Sequence, residues 1–287
     1  MTLSIKKLSD SLGAEVLGID LSAPLDPGTK TELDSAWMEF GVLVFRNQNI
    51  SDAEHVAFSR NFGELEVLPE VDRTDAVIPE IFILSNVDSG GKILPSDNEA
   101  VIFNSLTWSW HTDSCYREIP SKGAILHGIE VVNGGGGETR FANLRQALGD
   151  MPSGLRERIE NLSGQHNWSW MRAHRDLPPM PPEEEAKVPP VQHKLIRNHR
   201  DGSQSLYISP IYMQQIVGWG EDQTQTLVEE LTRWATQDRY IYEHSWREHD
   251  VVMWDNTWTM HMVLPYDASS QKRIMHRTAI AGVEAVL

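Results

Sequence analysis

Apolar positions along this chain follow two spacings, and the change between them marks two kinds of structure. Residues 4–21 read as two short strands, with Gly13, Gly18 and Asp20 as turn residues. Leu33, Trp37 and Phe40 then fall on one stripe and predict a helix over 29–40. The continuous run 42–45 predicts a buried strand. Ser51 followed by Glu54 is a capping-box signature, opening a helix through Val56, Ala57 and Phe62 that Gly63 ends. From Ile81 onward short apolar runs alternate with turn residues. They predict strands over 81–85, 123–129, 205–208, 240–246, 251–254 and 278–281. Helical spacing returns at 152–162, through Leu155, Ile159 and Leu162, and at 223–235, through Leu227, Leu231 and Trp234.

Many strands with few helices predict a β-rich α+β fold, and no internal repeat divides the chain, so one domain over 1–287 is expected. A barrel or jelly roll would let several strands project side chains into a shared mouth. The run Gly134 to Gly137 lacks the Gly-Lys-Ser/Thr ending of a phosphate loop and reads as a flexible turn. Residues 177–190 hold six prolines and three consecutive glutamates, which cannot form helix or sheet throughout. Strand-like sequence resumes after them, so a lid over the mouth or a plain surface loop is expected.

Composition narrows the partners. With 25 basic and 41 acidic residues the net charge is −16, which repels nucleic-acid phosphate and anionic lipid. No apolar run is long enough to span a membrane and no targeting signal is evident, so a cytoplasmic location is expected. A small anionic substrate would have to be captured by a local cationic pocket. Cys115 is the single cysteine; it excludes an intrachain disulfide and a cysteine-based zinc site, and a packing role suits it better than a catalytic one.

Against that background four residues stand out in order: His111, Asp113, His261 and Arg273. Two imidazoles and a carboxylate are the ligand set of a mononuclear non-haem iron(II) site with open positions for substrate and O2. On a strand-like segment, His111 and Asp113 would face the same way. The competing reading is a set of satisfied polar core residues with a terminal salt bridge. A 2-oxo acid chelating the iron would leave its far carboxylate to a fixed cation, which suits the planar fork of arginine. Arg277 follows four residues later. On one extended strand the two arginines would share a face, about 13 Å apart, and serve different anions.

The segments Trp110 to Asp113, Gly136 to Phe141, Val251 to Asn256, His261 and Arg273 to Thr278, with Phe58 to Gly63 near the start, together resemble the taurine dioxygenase/TfdA family. The resemblance spans almost the whole chain. It implies a double-stranded β-helix, or jelly roll, with flanking helices, and an iron(II)- and 2-oxoglutarate-dependent dioxygenase releasing succinate and CO2. By the same resemblance His111, Asp113 and His261 bind iron, Thr139 and Arg273 hold 2-oxoglutarate, and Arg277 binds the substrate's anionic group. Leu68 stands where taurine-specific members carry a histidine, and Met262 stands where many members carry arginine. The stretches 83–88, 206–208 and 211–216 look more like the branch cleaving aryloxyalkanoates. Leu68, Val71, Ser114 and Tyr212 complete the expected substrate-binding set, with Met213 and Ile216 as further apolar walls and Trp108 and Trp110 as supports for the metal motif. An aryloxyalkanoate or related aromatic acid is the expected substrate of an expected homo-oligomer. An alkylsulfate or sulfonate dioxygenase, and a non-catalytic metal-holding binder, are the alternatives.

Overall fold

The computed structural model describes residues 3–67, 77–175 and 177–286. Strands β1 (Ser4–Lys7) and β2 (Ala14–Leu17) form the opening hairpin. Helix α1 (Pro27–Phe40) follows, capped by Asp26, whose side chain accepts from the N–H groups of Gly28 and Thr29. Pro27 begins it at no cost, since that position has no intrahelical N–H partner. Leu33, Ala36 and Trp37 are the buried stripe. Gly41, at φ 69°, stops the helix, and a Cβ there would lie 2.4 Å from the Trp258 ring. Strand β3 (Val42–Phe45) is buried at every position, as its unbroken apolar run requires. Helix α2 (Asp52–Ser59) has both hydrogen bonds of the capping box between Ser51 and Glu54.

The chain continues through β4 (Phe82–Ser85), α3 (Glu99–Ser105), β5 (Gly123–Glu130), β6 (Thr139–Asn143), α4 (Leu144–Gly149) and α5 (Ser153–Ile159). Next come β7 (Ser163–His166), α6 (Trp168–Ala173), the single turn α7 (Pro182–Glu185), β8 (Val191–Lys194), β9 (Ile196–Asn198), β10 (Gln204–Leu206) and β11 (Met213–Ile216). The last part holds α8 (Glu221–Ala235), β12 (Ile241–His244), β13 (Val251–Asp255), β14 (Thr259–Val263) and β15 (Ile274–Ile280). Among the described residues no helix is long and apolar enough to cross a membrane.

One sheet runs in the order β1-β2-β3-β13-β5-β15-β4, antiparallel except where β2 meets β3. A smaller antiparallel sheet, β12-β6-β14, packs across its middle. Phe141 of β6 is fully buried between them, its ring 5.7 Å from Trp254 of β13. Val44, Leu126, Val252 and Met275 of the large sheet share that core with Tyr242 of β12. The fold is therefore a mixed, β-rich arrangement with helices around its sheets, as the periodicity predicted.

Four expectations change. Residues 111–113 form no strand: His111 makes one isolated bridge and the chain then turns. β15 begins at Ile274, not at 278, with a register shift between Ile274 and Met275, so Arg273 lies just before the strand and Arg277 within it. The glycine run is open at Gly134 and Gly135, which are exposed, but packed at Gly136 and Gly137. All four residues have positive φ, and a Cβ on Gly136 would lie 2.5 Å from the Pro265 carbonyl oxygen. Residues 177–190 contribute Leu177, Met180 and Val188 to the apolar cluster that includes Trp168 and Tyr212, and none lines the central cavity.

Candidate active site

His111 and His261 come from distant parts of the chain and are joined by a reciprocal backbone pair. His111 N–H donates to the His261 carbonyl and His261 N–H to the His111 carbonyl, both at 2.9 Å. Paired residues of an antiparallel ladder put their side chains on one face, and the two rings lie 4.2 Å apart. The His111 Nδ1–H donates to the Ser109 carbonyl at 2.8 Å, which leaves the lone pair on Nε2 facing the site.

Asp113 is aimed by a turn. Its N–H donates to Asn256 Oδ1 (2.9 Å), while Asn256 Nδ2 donates to the carbonyls of Asp113 (2.8 Å) and Ser121 (3.0 Å). Ser114, at φ 54°, takes the chain sharply away afterwards. The Asp113 carboxylate then lies 3.9 Å from His111 Nε2 through Oδ1 and 3.8 Å from His261 Nε2 through Oδ2. One ligand atom from each of the three residues lies within 4.8 Å of the others, and all three residues are buried. Asp113 Oδ2 is buried without a hydrogen-bond partner among the described residues.

The charge states favour a cation here. Burial would raise the Asp113 pKa, but Arg277, then His261 and His111, outweigh it and hold the carboxyl at about 2. Burial, reinforced by His111, lowers His261 to about 3, and burial chiefly lowers His111 as well. Two neutral imidazoles and one carboxylate, with an orphaned carboxylate oxygen between them, fit a divalent metal of the iron(II) type.

Two cavities flank this centre, sharing Leu84 and Thr107. Arg273 lines one, with Asn86, Ser105, Trp108 and Tyr266. Its N–H donates to Asn86 Oδ1 (2.8 Å), and Asn86 Nδ2 ties the carbonyls of Ala268 and Gln271 (2.8 Å each). Among the described residues Arg273 Nη2 is buried with no partner, and burial lowers the guanidinium to about 10. A buried cation without a counter-ion is costly, and an incoming carboxylate removes that cost. Thr139 lies beside this region, paired across β6 and β14 with the cavity-lining Val263, but does not itself line the cavity. Its Oγ1 accepts from Trp246 Nε1 at 2.9 Å.

Arg277 lines the other cavity, together with His111, Asp113, Ser114 and Tyr212. The walls are aromatic. The Trp168 ring is 4.4 Å from Tyr116 and stacks on Tyr212 at 5.6 Å. The Arg277 guanidinium sits over Phe82 at 5.4 Å. Sequence reading missed Phe82, Phe103, Tyr116 and Trp168 as walls, and missed Asn86 and Asn256 as the supports of Arg273 and Asp113. Leu68 and Val71 lie outside the described residues. Met213 and Ile216 are not walls: both are fully buried in a separate core with Leu227 and Leu231 of α8. Trp108 lines the Arg273 cavity, whereas Trp110 packs on that separate core. Cys115 is buried, and burial pushes its thiol pKa up, so it packs rather than reacts.

Comparison with known proteins agrees with this geometry. The family described as taurine catabolism dioxygenase TauD, TfdA family matches residues 4–279. The chain is 27% identical to an alpha-ketoglutarate-dependent 2,4-dichlorophenoxyacetate dioxygenase of Burkholderia sp. strain RASC, over 98% of this chain and 95% of the relative. It is 31% identical to an (S)-phenoxypropionate/alpha-ketoglutarate-dioxygenase of Sphingobium herbicidovorans, over 97% and 94%. The crystal structure of AAD-2 in complex with Mn(II) and N-oxalylglycine superposes with a TM-score of 0.88 at 35% identity, covering 100% of this chain and 99% of that one. The chain belongs to the TauD/TfdA family. It is an iron(II)- and 2-oxoglutarate-dependent dioxygenase.

Proposed function

We propose that this enzyme hydroxylates a small aromatic carboxylate, of which an aryloxyalkanoate is the preferred kind. The observation that carries this reading is the cavity beside His111, Asp113 and His261, walled by aromatic rings and ending on the buried cation of Arg277. Rings suit a flat apolar body, and the planar guanidinium suits one carboxylate. The two relatives named for phenoxy acids support the choice of substrate class.

His111, Asp113 and His261 would hold the iron. Arg273, whose cavity Thr139 does not line, would take the far carboxylate of 2-oxoglutarate. Bound iron(II) and 2-oxoglutarate supply oxygen activation coupled to decarboxylation, yielding succinate and CO2. The chain's part is placement and exclusion of water. Arg277 fixes the substrate by its carboxylate, and the ring walls orient the body so that one C–H bond faces the metal centre. Hydroxylation of a carbon beside an ether oxygen gives a hemiacetal, which collapses to a phenol and an oxo acid. The two facing sheets are read as the halves of a double-stranded β-helix, with the whole chain working as one domain.

A succinate-release assay across aryloxyacetates, 2-aryloxypropionates, alkylsulfates and taurine tests the proposal. Release stimulated most by the aryloxy acids, with phenol formed in equal amount, is expected. Stimulation by alkylsulfate or taurine but by no aryloxy acid overturns it.

A further inference from the structure

Arg277 touches more than the substrate cavity. Its Nη1 donates to Asp113 Oδ1 at 3.0 Å, while its Nε is buried with no partner among the described residues. Asn256 fixes the backbone of Asp113 but leaves the carboxylate alone. Among the described residues, the hydrogen bond from Arg277 is the one that the Asp113 carboxylate receives. Rotation about the bond to a carboxylate is soft. A single donor on Oδ1 therefore fixes the rotation of the carboxylate, with Oδ1 3.9 Å from His111 Nε2 and Oδ2 3.8 Å from His261 Nε2.

We propose that Arg277 is a positioning residue for the metal as well as the anchor for the substrate anion: Nη1 orients Asp113 before any substrate arrives, and the Nε edge remains for the anion. This rests on the metal assignment made above. The metal site and the substrate cavity then share one side chain. Hydrogen-bonded partners of metal ligands typically contribute about 10- to 100-fold in metal affinity. The long-range field of Arg277 acts in the opposite direction, because removing a positive charge tightens cation binding. The sign of the change separates the two effects.

The experiment is Mn(II) binding to the metal-stripped protein without 2-oxoglutarate or substrate, read from the electron paramagnetic resonance signal of free Mn(II). Arg277→Gln is expected to weaken binding about 10-fold or more. Arg277→Lys keeps the charge but not the fork and is expected to fall between Arg277→Gln and the parent. Arg273→Gln removes the same charge from the neighbouring cavity without touching Asp113 and is expected to bind Mn(II) as tightly as the parent or more so. Circular dichroism and thermal melts confirm that each variant is folded. Unchanged or tighter binding in Arg277→Gln overturns the proposal, and should that variant not fold, unchanged binding in Arg277→Lys does so. A parent protein that binds no Mn(II) fails the metal assignment itself, a result distinct from parent binding that Arg277 does not influence.

Discussion

Each residue at this centre is constrained by a neighbour with a different task. His111 and Asp113 would supply ligand atoms to the proposed metal, and Ser109 and Asn256 hold them in place. His111→Ala and Asp113→Ala are expected to abolish substrate-dependent succinate release while leaving the circular dichroism spectrum intact; activity retained at matched iron loading would refute the ligand assignment. Asn256 is 1% exposed and closes three hydrogen bonds, so Asn256→Ala leaves buried backbone groups unpaired. A loss of about 1–3 kcal/mol in urea unfolding is expected. The two arginines should separate kinetically. Arg273→Ala should raise KM for 2-oxoglutarate by the larger factor and Arg277→Ala KM for the aromatic acid, and the reverse pattern would exchange their roles. The cluster of His111, Asp113 and His261 was legible in the sequence because its residue types are rare in combination and stand in a recognisable order. Asn86 and Asn256 stood inside motifs already noticed, but an asparagine gives no sign of its partners until the backbone groups it bridges are in place.

At the scale of elements, the apolar runs were read well and the mixed ones were not. β3 and β13 are buried throughout, so their composition alone marks them. β6 and β14 escaped notice because Thr139, Asn143, Thr259 and His261 are buried polar residues that break the apolar signal. Those interruptions mark the strands that carry or adjoin the site. The aromatic wall was hidden for another reason: Phe82, Phe103, Tyr116 and Trp168 come from four separate segments, with no spacing to connect them. The end of α1 offers a sharp test. Gly41 combines left-handed backbone with a contact that a methyl group would bring to 2.4 Å of Trp258. Gly41→Ala is expected to cost at least about 1 kcal/mol by urea unfolding, whereas exposed Gly149, which has no atom within 4 Å of its would-be Cβ, should tolerate alanine.

Over the whole molecule, buried histidines link folding to pH. Burial chiefly lowers His55 and His166 to about 3 and His127 to about 4. Each starts from the ordinary imidazole value of 6.5. Below pH 6.5 the unfolded chain binds protons that the folded chain refuses. Stability contributed by the neutral state is thus complete above pH 6.5 and falls as pH drops toward 4 and then 3. Each histidine steepens the loss by up to about 1.4 kcal/mol per pH unit. Urea midpoints measured from pH 7.5 to 4.5 should decline, and His166→Gln should flatten the decline; a flat profile in the parent would contradict the burial of these rings.

The paired backbone amides of His111 and His261 also impose a schedule. They stitch an early segment to a late one, so a chain emerging from the ribosome owns no complete seat for an ion until Val263 has been made and β14 has zipped against β6. Iron capture at the proposed site would then report on the finished molecule, and in refolding experiments Mn(II) uptake should lag behind secondary structure and coincide with the last step.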